Sequence, residues 1–531
     1  MEKRVLIAIV LSIAVMYGYS FIFPPQKPTV SNKPLAPAAS EASKKVDAAR
    51  ASSPAVAPDI RQVQTLNAKE VIVETDVLRA VFSTQGATLK ELILKKYRDK
   101  AGSGSNEVVL FRESSPANYI LGTEAPVIGS ANTLLFSADT DAIIVSDNST
   151  KSIEFTAVTS GVVLKKKFTF TSSGYGISLD TTLINSSSAP LEGTVQNVLR
   201  NSSRKPGDDP GRYEVFGPVT LSDSGVSFDS LADLAKGERS FQKGVKWTGF
   251  GDKYFLRAII ANKSSASSVS IKDTAGYCEQ RVFSDKFSIS PLQQTSFSTT
   301  VFFGPKDIDI LKAQGSQLEE SIDLGWFSAL AKPLLHTIKL FYKYLGNYGL
   351  AIILITVILK IIFFPLTHKS YKSMKEMQKL QPKMQELKDI HKDDRDALNR
   401  SVMELYKTHK VNPLGGCLPM IIQIPVFFGL YKALMFSIEL RHAPFYFWLH
   451  DLSAKDPYYV TPIIMGVTMF IQQKMTPTNM DPVQAKMMLA LPVVFTAMFL
   501  NFPSGLVLYW LVNNVLTIAQ QAYINSSLKE A

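Results

Sequence analysis

A single lysine inside a long apolar run is the residue that most needs a chemical explanation. Lys360 is the only charged residue between Asn347 and Leu366. A charged side chain at the centre of a bilayer costs at least a few kcal/mol, so its presence indicates a partner or a function. At 1.5 Å per residue, Lys360 lies about 9 Å from Leu366. Its aliphatic stem could carry the ammonium part of that distance towards water, so the spacing is consistent both with snorkelling and with a functional cation.

Polar residues recur at helical spacing in the neighbouring apolar runs. Thr356 lies one turn before Lys360 on the same helical face. The other runs carry further polar residues: Gln423, Thr461, Thr468, Gln472, Thr496, Tyr509, Asn513, Thr517 and Gln520. The runs contain no aspartate or glutamate, whereas a proton pump or a cation transporter needs carboxylates in its spans. We therefore predict a hydrated groove beside a positive charge.

The residues that enzymes use are missing from most of the chain. The sequence has no Walker A, HExxH or GxSxG motif. His336 is the first of 6 histidines, which excludes histidine acid–base chemistry and metal binding before it. The 2 cysteines, Cys278 and Cys417, are too few for a multi-cysteine metal site. Asp208, Asp209 and Cys278 fit turn carboxylates and a buried small side chain. We predict no enzymatic activity, cofactor or metal.

The composition indicates a chain with both soluble and membrane parts. It has 531 residues, 46% of them hydrophobic, a mean hydropathy of +0.07 and a net charge of +11. This charge favours nucleic acid or an anionic membrane surface as a partner. Residues 5–23 are predicted to form a first transmembrane anchor behind a cytoplasmic N-terminus at 1–4. Pro24 and Pro25 follow in place of a small-residue cleavage site, which favours an uncleaved anchor over a signal peptide. Residues 24–62, rich in proline, alanine and serine, predict a linker.

Residues 63–320 show the period-two alternation of a large β domain. Short β-branched runs, such as 162–171, are separated by glycine, serine, asparagine and aspartate. This pattern predicts an antiparallel β-sandwich. Helical spacing returns at 325–345, which predicts an amphipathic helix at the membrane interface, with a soluble packing helix as the alternative. Pro333 predicts that this helix starts or breaks there.

Five more apolar runs complete a predicted bundle of six spans. They cover 346–366, 415–437, 458–474, 485–502 and 504–524. Eleven lysines and arginines lie between His368 and Asn412, but only two lie in the loop 438–457. Short basic loops stay inside, so 367–414, 475–484 and the tail 525–531 are predicted to be cytoplasmic, with the β domain and 438–457 on the other side. A disulfide between the two cysteines is then excluded by topology. Lys432, which has no evident polar partner, is predicted to snorkel outward.

The basic segment 367–414 is predicted to form a helical hairpin. Its apolar positions follow helical spacing on both arms: Met377, Leu380, Met384, Leu387, Leu398, Val402 and Leu405. They could pack the two arms together. Alternatively, the basic, methionine-bearing surface could meet a nascent chain or ribosome, because flexible methionines suit varied apolar partners.

Several motifs in order closely resemble those of YidC membrane protein insertases. They are Asn412-Pro413-Leu414-Gly415-Gly416-Cys417, Gln423-Ile424-Pro425, Asp456-Pro457-Tyr458-Tyr459 and Phe502-Pro503-Ser504-Gly505 followed by Tyr509-Trp510. The match covers about 324–526, and the layout resembles the Gram-negative form of the family. That form implies an α-helical membrane protein of six spans, five of them forming the core, with a large periplasmic β-supersandwich.

The resemblance implies a function and a set of partners. Family members insert and help fold proteins in the bacterial inner membrane, alone or beside the Sec translocon, without a cofactor. The expected partners are nascent membrane proteins, the Sec translocon, the ribosome through the hairpin, and the lipid bilayer, but no specific nucleic acid. The alternatives are a transporter and a membrane-anchored periplasmic carbohydrate-binding protein.

The resemblance also implies the site. The family's groove charge corresponds to Lys360, where Gram-negative members usually carry arginine, and Thr356, Tyr509 and Trp510 correspond to groove-lining positions. Lysine keeps the charge but lacks the planar fork of arginine. With the polar residues of the other spans, the predicted substrate groove consists of Lys360, Thr356, Gln423, Thr496, Tyr509, Trp510 and Asn513.

Overall fold

The computed structural model describes residues 68–531 except 103, 113–118, 160, 204–215, 262–267, 275, 392–393, 410, 412–417, 477–481 and 531. The predicted anchor at 5–23, the linker at 24–62, Asp208, Asp209 and Cys417 lie outside the described residues.

Residues 70–305 form a β domain. Its strands are β1 (Glu70–Thr75), β2 (Leu78–Ser83), β3 (Thr88–Arg98), β4 (Glu107–Arg112), β5 (Leu121–Ala125), β6 (Gly129–Ser130), β7 (Ser137–Ala138), β8 (Ala142–Val145), β9 (Thr150–Thr159), β10 (Val162–Thr171), β11 (Gly176–Asn185), β12 (Leu191–Gly193), β13 (Gln196–Ser202), β14 (Gly217–Ser222), β15 (Gly225–Phe228), β16 (Arg239–Phe241), β17 (Val245–Gly251), β18 (Phe255–Ile260), β19 (Ser268–Thr274), β20 (Tyr277–Phe283), β21 (Phe287–Ile289) and β22 (Gln294–Pro305).

Within the described residues, these strands form one large sheet and three smaller ones. The nine-stranded sheet has the order β15-β14-β17-β18-β22-β11-β10-β9-β7, and the six-stranded sheet has the order β16-β19-β20-β13-β5-β6. A five-stranded sheet, β4-β3-β2-β1-β8, and the pair β12-β21 complete the domain. The pairing is antiparallel apart from β1 and β8, which pair in parallel. The Gln280 amide of β20 donates to Thr248 Oγ1 of β17 at 2.7 Å, which places the two largest sheets face to face.

One lysine of the β domain points into its core. Val162, Leu164, Phe168 and Phe170 of β10 are buried on one face, and Lys166 lies among them with 1% of its surface exposed. Its Nζ donates to the Gly86 carbonyl at 2.8 Å and lies 5.6 Å from the centre of the Phe136 ring. Burial lowers the pKa of Lys166 to about 7.

Within the described residues, ten α-helices accompany the strands. They are α1 (Leu231–Leu234), α2 (Ile308–Gln314), α3 (Ser328–Leu345), α4 (Tyr348–Lys379), α5 (Gln381–Ile390), α6 (Arg395–Thr408), α7 (Leu418–Phe436), α8 (Val460–Met475), α9 (Pro482–Phe499) and α10 (Ser504–Glu530). The prediction that Pro333 starts or breaks its helix is wrong, because α3 begins at Ser328 and runs through it. In the described part of the chain, α4 is the helix long and apolar enough to cross a membrane, and the apolar stretches Ile422–Phe436 and Met488–Phe499 are shorter.

Helices α3, α4 and α7–α10 pack into a helical bundle with its own apolar core. The central side chains include Ile352 and Ile355 of α4, Leu430 of α7 and Met465 of α8. Leu506, Val507 and Leu508 of α10 complete this core. The core fixes α4, α7 and α10 against one another, and these three helices carry most of the predicted groove residues.

Within the described residues, four basic side chains of the helical bundle tie it to the preceding part of the chain. Lys332 pairs with Glu320 at 2.8 Å, and Lys339 pairs with Asp307 at 3.1 Å. Lys432 lies 3.4 Å from Asp323 Oδ2, and Arg441 donates to the carbonyls of Arg98 and Asp99 at 2.6 and 3.2 Å. Apolar residues of α3 and α7 also join the core of the β domain: Ala331, Leu335, Ala433, Met435 and Phe436.

Candidate polar groove between three helices

A cavity opens where α4, α7 and α10 meet. It is lined by residues of all three helices: Thr356, Leu359, Lys360, Phe363, Leu366, Thr367, Gln423, Val426, Tyr509 and Asn513. The cavity has a volume of about 30 Å³, and about 10–15 Å³ is enough to hold one water molecule. The cavity therefore has room for one or two waters beside the predicted cation, and five of the seven predicted groove residues line it.

Lys360 holds its ammonium in this cavity through one hydroxyl. Its Nζ donates to Thr517 Oγ1 at 2.7 Å, and that hydroxyl donates to the Asn513 carbonyl at 2.6 Å. No ion pair of Lys360 is present among the described residues. An ammonium has three donors, so this cation keeps donors for a further acceptor.

A second polar contact crosses the cavity between α7 and α10. Gln423 Nε2 donates to Asn513 Oδ1 at 3.0 Å. Thr356 is buried and bonds within its own helix, donating to the Ile352 carbonyl at 2.6 Å. These polar groups are thus hydrogen-bonded to one another or to the backbone. A polar group entering from outside would have to compete for these partners.

Tyr509 connects the lining of the cavity to a cluster of aromatic side chains from α7, α9 and α10. Tyr509 lines the cavity, and its ring stacks on Phe427 with centroids 6.3 Å apart. Trp510 packs instead against Phe427 and Phe499, at 4.7 and 4.8 Å. Trp510 therefore lies behind Phe427 and is not one of the residues that line the cavity.

Thr496 is a second predicted groove residue that does not line the cavity. Its hydroxyl donates to the Pro492 carbonyl of its own helix at 2.7 Å. It also lies against Gly466 of α8, where a Cβ atom would collide with it. The structure places Thr496 at the α8–α9 contact and outside the lining of the cavity.

The partners of two lysines in apolar helices, Lys360 and Lys432, were not predicted from the sequence. Thr517 is one of the polar residues in the last apolar run, but it was not included in the predicted groove. Its four-residue spacing from Asn513 places both residues on one helical face, and this spacing was the signal. Lys432 has a polar partner, contrary to the prediction, because its Nζ lies 3.4 Å from Asp323 Oδ2. That its side chain snorkels outward stays a prediction. Asp323 lies 109 residues before Lys432, so neither helical spacing nor hydropathy connects the two.

The cavity has the features of a binding groove but lacks those of a metal site. No group of three or more histidine, cysteine, aspartate or glutamate side chains in the described part of the chain is arranged to hold a metal ion. The half-buried ammonium of Lys360, the Gln423–Asn513 amide pair and the Tyr509 ring are polar and aromatic groups that the cavity presents to a ligand.

Known protein families match both the β domain and the helical part of the chain. The family model described as 60Kd inner membrane protein matches residues 340–531, and the model described as YidC periplasmic domain matches residues 70–337. A membrane protein insertase YidC of Geotalea uraniireducens is 57% identical over 531 residues, covering 99% of this chain and 100% of that protein. The insertase of Geobacter sulfurreducens is 54% identical over 533 residues, covering 100% and 99%.

Solved structures show more distant likenesses. An active YidC insertase crystal structure with the first transmembrane domain resolved has a TM-score of 0.37 and 19% identity, over 85% of this chain and 92% of that one. A galactose mutarotase related enzyme from Lactobacillus acidophilus has a TM-score of 0.33 and 10% identity, over 44% and 97%. The assignment rests on the full-length relatives. The chain belongs to the YidC family of membrane protein insertases, which are bacterial inner-membrane proteins with a periplasmic domain and are not enzymes.

Proposed function

We propose that this insertase uses the cavity around Lys360 as a groove that receives polar segments of nascent membrane proteins. The observation that carries the proposal is the ammonium of Lys360, held at the meeting point of α4, α7 and α10 by one threonine hydroxyl. A cation without a carboxylate partner in an apolar bundle attracts an anionic group strongly, because the surrounding dielectric is low. The translocated segment of a substrate supplies that group.

The mechanism follows from two opposing transfer energies. A polar segment that enters the bilayer alone loses its hydration, at a cost of several kcal/mol for a charged side chain. Water in the groove and the positive charge of Lys360 reduce this cost. The adjacent apolar segment of the substrate then enters the lipid, and burial of its apolar surface drives insertion without ATP.

We further propose a topology of six spans with both termini in the cytoplasm. Residues 5–23, α4, α7, α8, α9 and α10 are the spans, α3 lies in the interface, and the β domain is a periplasmic supersandwich. The basic loop between His368 and Asn412 supports this orientation. The ties through Lys339 and Arg441 then lie at the periplasmic surface, and the groove opens towards the cytoplasm.

The hairpin formed by α5 and α6 is the proposed contact for ribosomes and nascent chains. Leu380 and Met384 are buried, and the Tyr406 hydroxyl donates to Met384 Sδ at 3.0 Å. These positions therefore pack the two arms. Met403 is 53% exposed. Together with the basic residues of the hairpin, it forms the proposed surface for a partner. The Sec translocon is the proposed partner for larger substrates.

A reconstituted insertion reaction tests the proposed function. The purified full-length protein is placed in liposomes, and a small membrane protein with an acidic translocated segment is synthesised in their presence. Protection of that segment from added protease measures insertion. We expect protection above that of empty liposomes and of liposomes with an unrelated membrane protein. Equal protection in all three would reject the proposal.

A further inference from the structure

A second cavity lies beside Lys360, between α4 and α10. We call it the lateral crevice. It has a volume of about 310 Å³ and is lined by Val357, Lys360, Ile361, Phe364, Pro365, Leu516 and Gln520. It shares only Lys360 with the lining of the groove cavity. Lys360 therefore lies at the boundary of two spaces with different chemistry.

The lateral crevice is apolar and opens to the outside of the helical bundle. Five of its seven lining residues are apolar, and Ile361 and the neighbouring Ile362 are 67% and 62% exposed. In the membrane placement proposed above, such exposed aliphatic side chains face hydrocarbon. Its volume is far larger than a single water needs, but so few polar partners cannot hold water throughout it. An acyl chain fits both the lining and the exposure.

Gln520 is a buried polar residue in the lining of the otherwise mainly apolar lateral crevice. Its side chain is 8% exposed, and neither amide atom has a hydrogen-bond partner within the described part of the chain. Buried amides are almost always hydrogen-bonded, so an unpartnered one indicates a group that binds there. The ligand must therefore present a hydrogen-bond acceptor at the level of Gln520 and an apolar chain beside Ile361.

The charges along α4 specify the sign of the ligand. Lys360 keeps donors beyond its bond to Thr517, and Lys369 and Lys372 are exposed further along the same helix. At 1.5 Å per residue they lie about 14 and 18 Å beyond Lys360. A phosphate near Lys369 would place ester carbonyls at the depth of Gln520 and an acyl chain in the lateral crevice.

We propose that the lateral crevice binds an anionic glycerophospholipid of the cytoplasmic leaflet, with Gln520 and Lys360 contacting its ester region. The proposal rests on the membrane placement proposed above, but not on the insertion mechanism. The bound lipid and the substrate compete for Lys360. When no substrate is present, the ester region of the lipid would accept a hydrogen bond from the Lys360 ammonium. An acidic segment of a substrate would displace the lipid.

Photo-crosslinking of the full-length protein tests this site. A photoreactive phenylalanine analogue replaces Leu516, and the protein is reconstituted in vesicles of phosphatidylethanolamine with one-fifth phosphatidylglycerol. After irradiation without substrate, mass spectrometry identifies the lipid attached. We expect phosphatidylglycerol adducts enriched at least threefold over its share of the vesicle. The matched control carries the analogue at Val493, which is 71% exposed on α9, and should label both lipids in proportion to their share.

Variants of Gln520 complete the test. Gln520→Leu keeps the size of the side chain and should lower the enrichment by half or more. Gln520→Glu should abolish it, because an ionised carboxylate cannot donate a hydrogen bond to an ester carbonyl and repels its oxygen. Equal enrichment at Leu516 and Val493, or no lipid adduct at Leu516, would overturn the lipid site. Insertion by the unlabelled protein is measured separately, so loss of lipid selectivity with normal insertion rejects only this inference.

Discussion

The Nζ atom of Lys339 lies 2.9 Å from Oε1 of Glu439, which joins α3 to the segment that follows α7. Asp307 and Asp309 pair with the same ammonium at 3.1 and 2.5 Å. Burial disfavours the charged lysine, but Glu439, Asp309 and Asp307 outweigh that effect and raise the pKa of Lys339 above its ordinary value. One cation thus holds three carboxylates that would otherwise repel one another.

Removal of this cation should loosen the β domain from the helical bundle. Lys339→Met leaves Asp307 and Glu439 facing each other, largely buried, and should cost about 3 kcal/mol. We expect the β domain and the helical bundle to unfold in separate thermal transitions, whereas Lys339→Arg should keep the native profile. Lys343→Met, an exposed position on the same helix, is the control. An unchanged profile for Lys339→Met would show that the apolar contacts alone hold the junction.

The groove mechanism predicts a charge requirement at Lys360. Lys360→Arg should retain insertion of an acidic substrate, while Lys360→Ala and Lys360→Glu should reduce it at least fivefold, because the cation is lost or reversed. Changing the substrate's acidic residue to lysine should harm insertion by the native protein and harm it less with Lys360→Glu. Lys474→Ala, an exposed lysine in the last turn of α8, controls for loss of a basic residue. Native-level insertion by Lys360→Ala at matched expression would reject the electrostatic mechanism.

The buried Lys166 predicts an unusual pH dependence of the β domain. Its pKa falls to about 7 in the folded protein, while an unfolded lysine titrates near 10.4. Between these values the unfolded state binds more protons, so stability should rise as the pH increases from about 7 to 10. Lys166→Met should raise the melting temperature most at pH 6 and progressively less towards pH 10. Lys167→Met, exposed on the same strand, should give no such trend, and a constant difference for Lys166→Met would contradict the assigned burial.

Two deletions separate the β domain from the segment that anchors it. Deletion of residues 68–300 removes most strands but keeps Asp307, Glu320 and Asp323, the partners of the α3 and α7 lysines. We expect insertion in the reconstituted assay to be largely intact. Deletion of residues 68–324 also removes these carboxylates and should abolish most activity in a stably expressed protein. Equal activity of the two deletions would show that the charged ties are dispensable.

The proposed topology is tested by labelling cysteines in intact cells. A cysteine at Asp396, in the basic hairpin, should react only after the cytoplasm is made accessible. A cysteine at Ser224, beside Gly225 in the β domain, should react with an impermeant reagent from the periplasm. Cys417→Ser removes one background thiol, and Cys278 is buried. Reaction of either introduced cysteine from the opposite side would overturn the orientation.

Local patterns predicted the elements, but not the contacts between them. Period-two alternation in 162–171 predicted β10, and the same alternation put Lys166 on the core face, although the three consecutive lysines obscured it. Hydropathy located α4 and α10, and helical spacing grouped Asn513 with Thr517. The bond from Lys360 to Thr517 spans 157 residues, and the pair Lys432–Asp323 spans 109. Such partners depend on tertiary packing, which carries no local periodic signal.

Helix α4 continues beyond the groove to Lys379, directly before the hairpin formed by α5 and α6. Its 32 residues, Tyr348–Lys379, span about 48 Å. Pro365 lies inside it, five residues after Lys360, and lacks the N–H that would hold the preceding turn, so bending is easiest there. The part of α4 after Pro365 would then move as a rigid segment about that residue. A bend of about 10° at Pro365 moves Lys379, about 21 Å away, sideways by about 4 Å and leaves Lys360 in place. A bend at Pro365 would therefore move the hairpin relative to an incoming chain without moving the ammonium of Lys360.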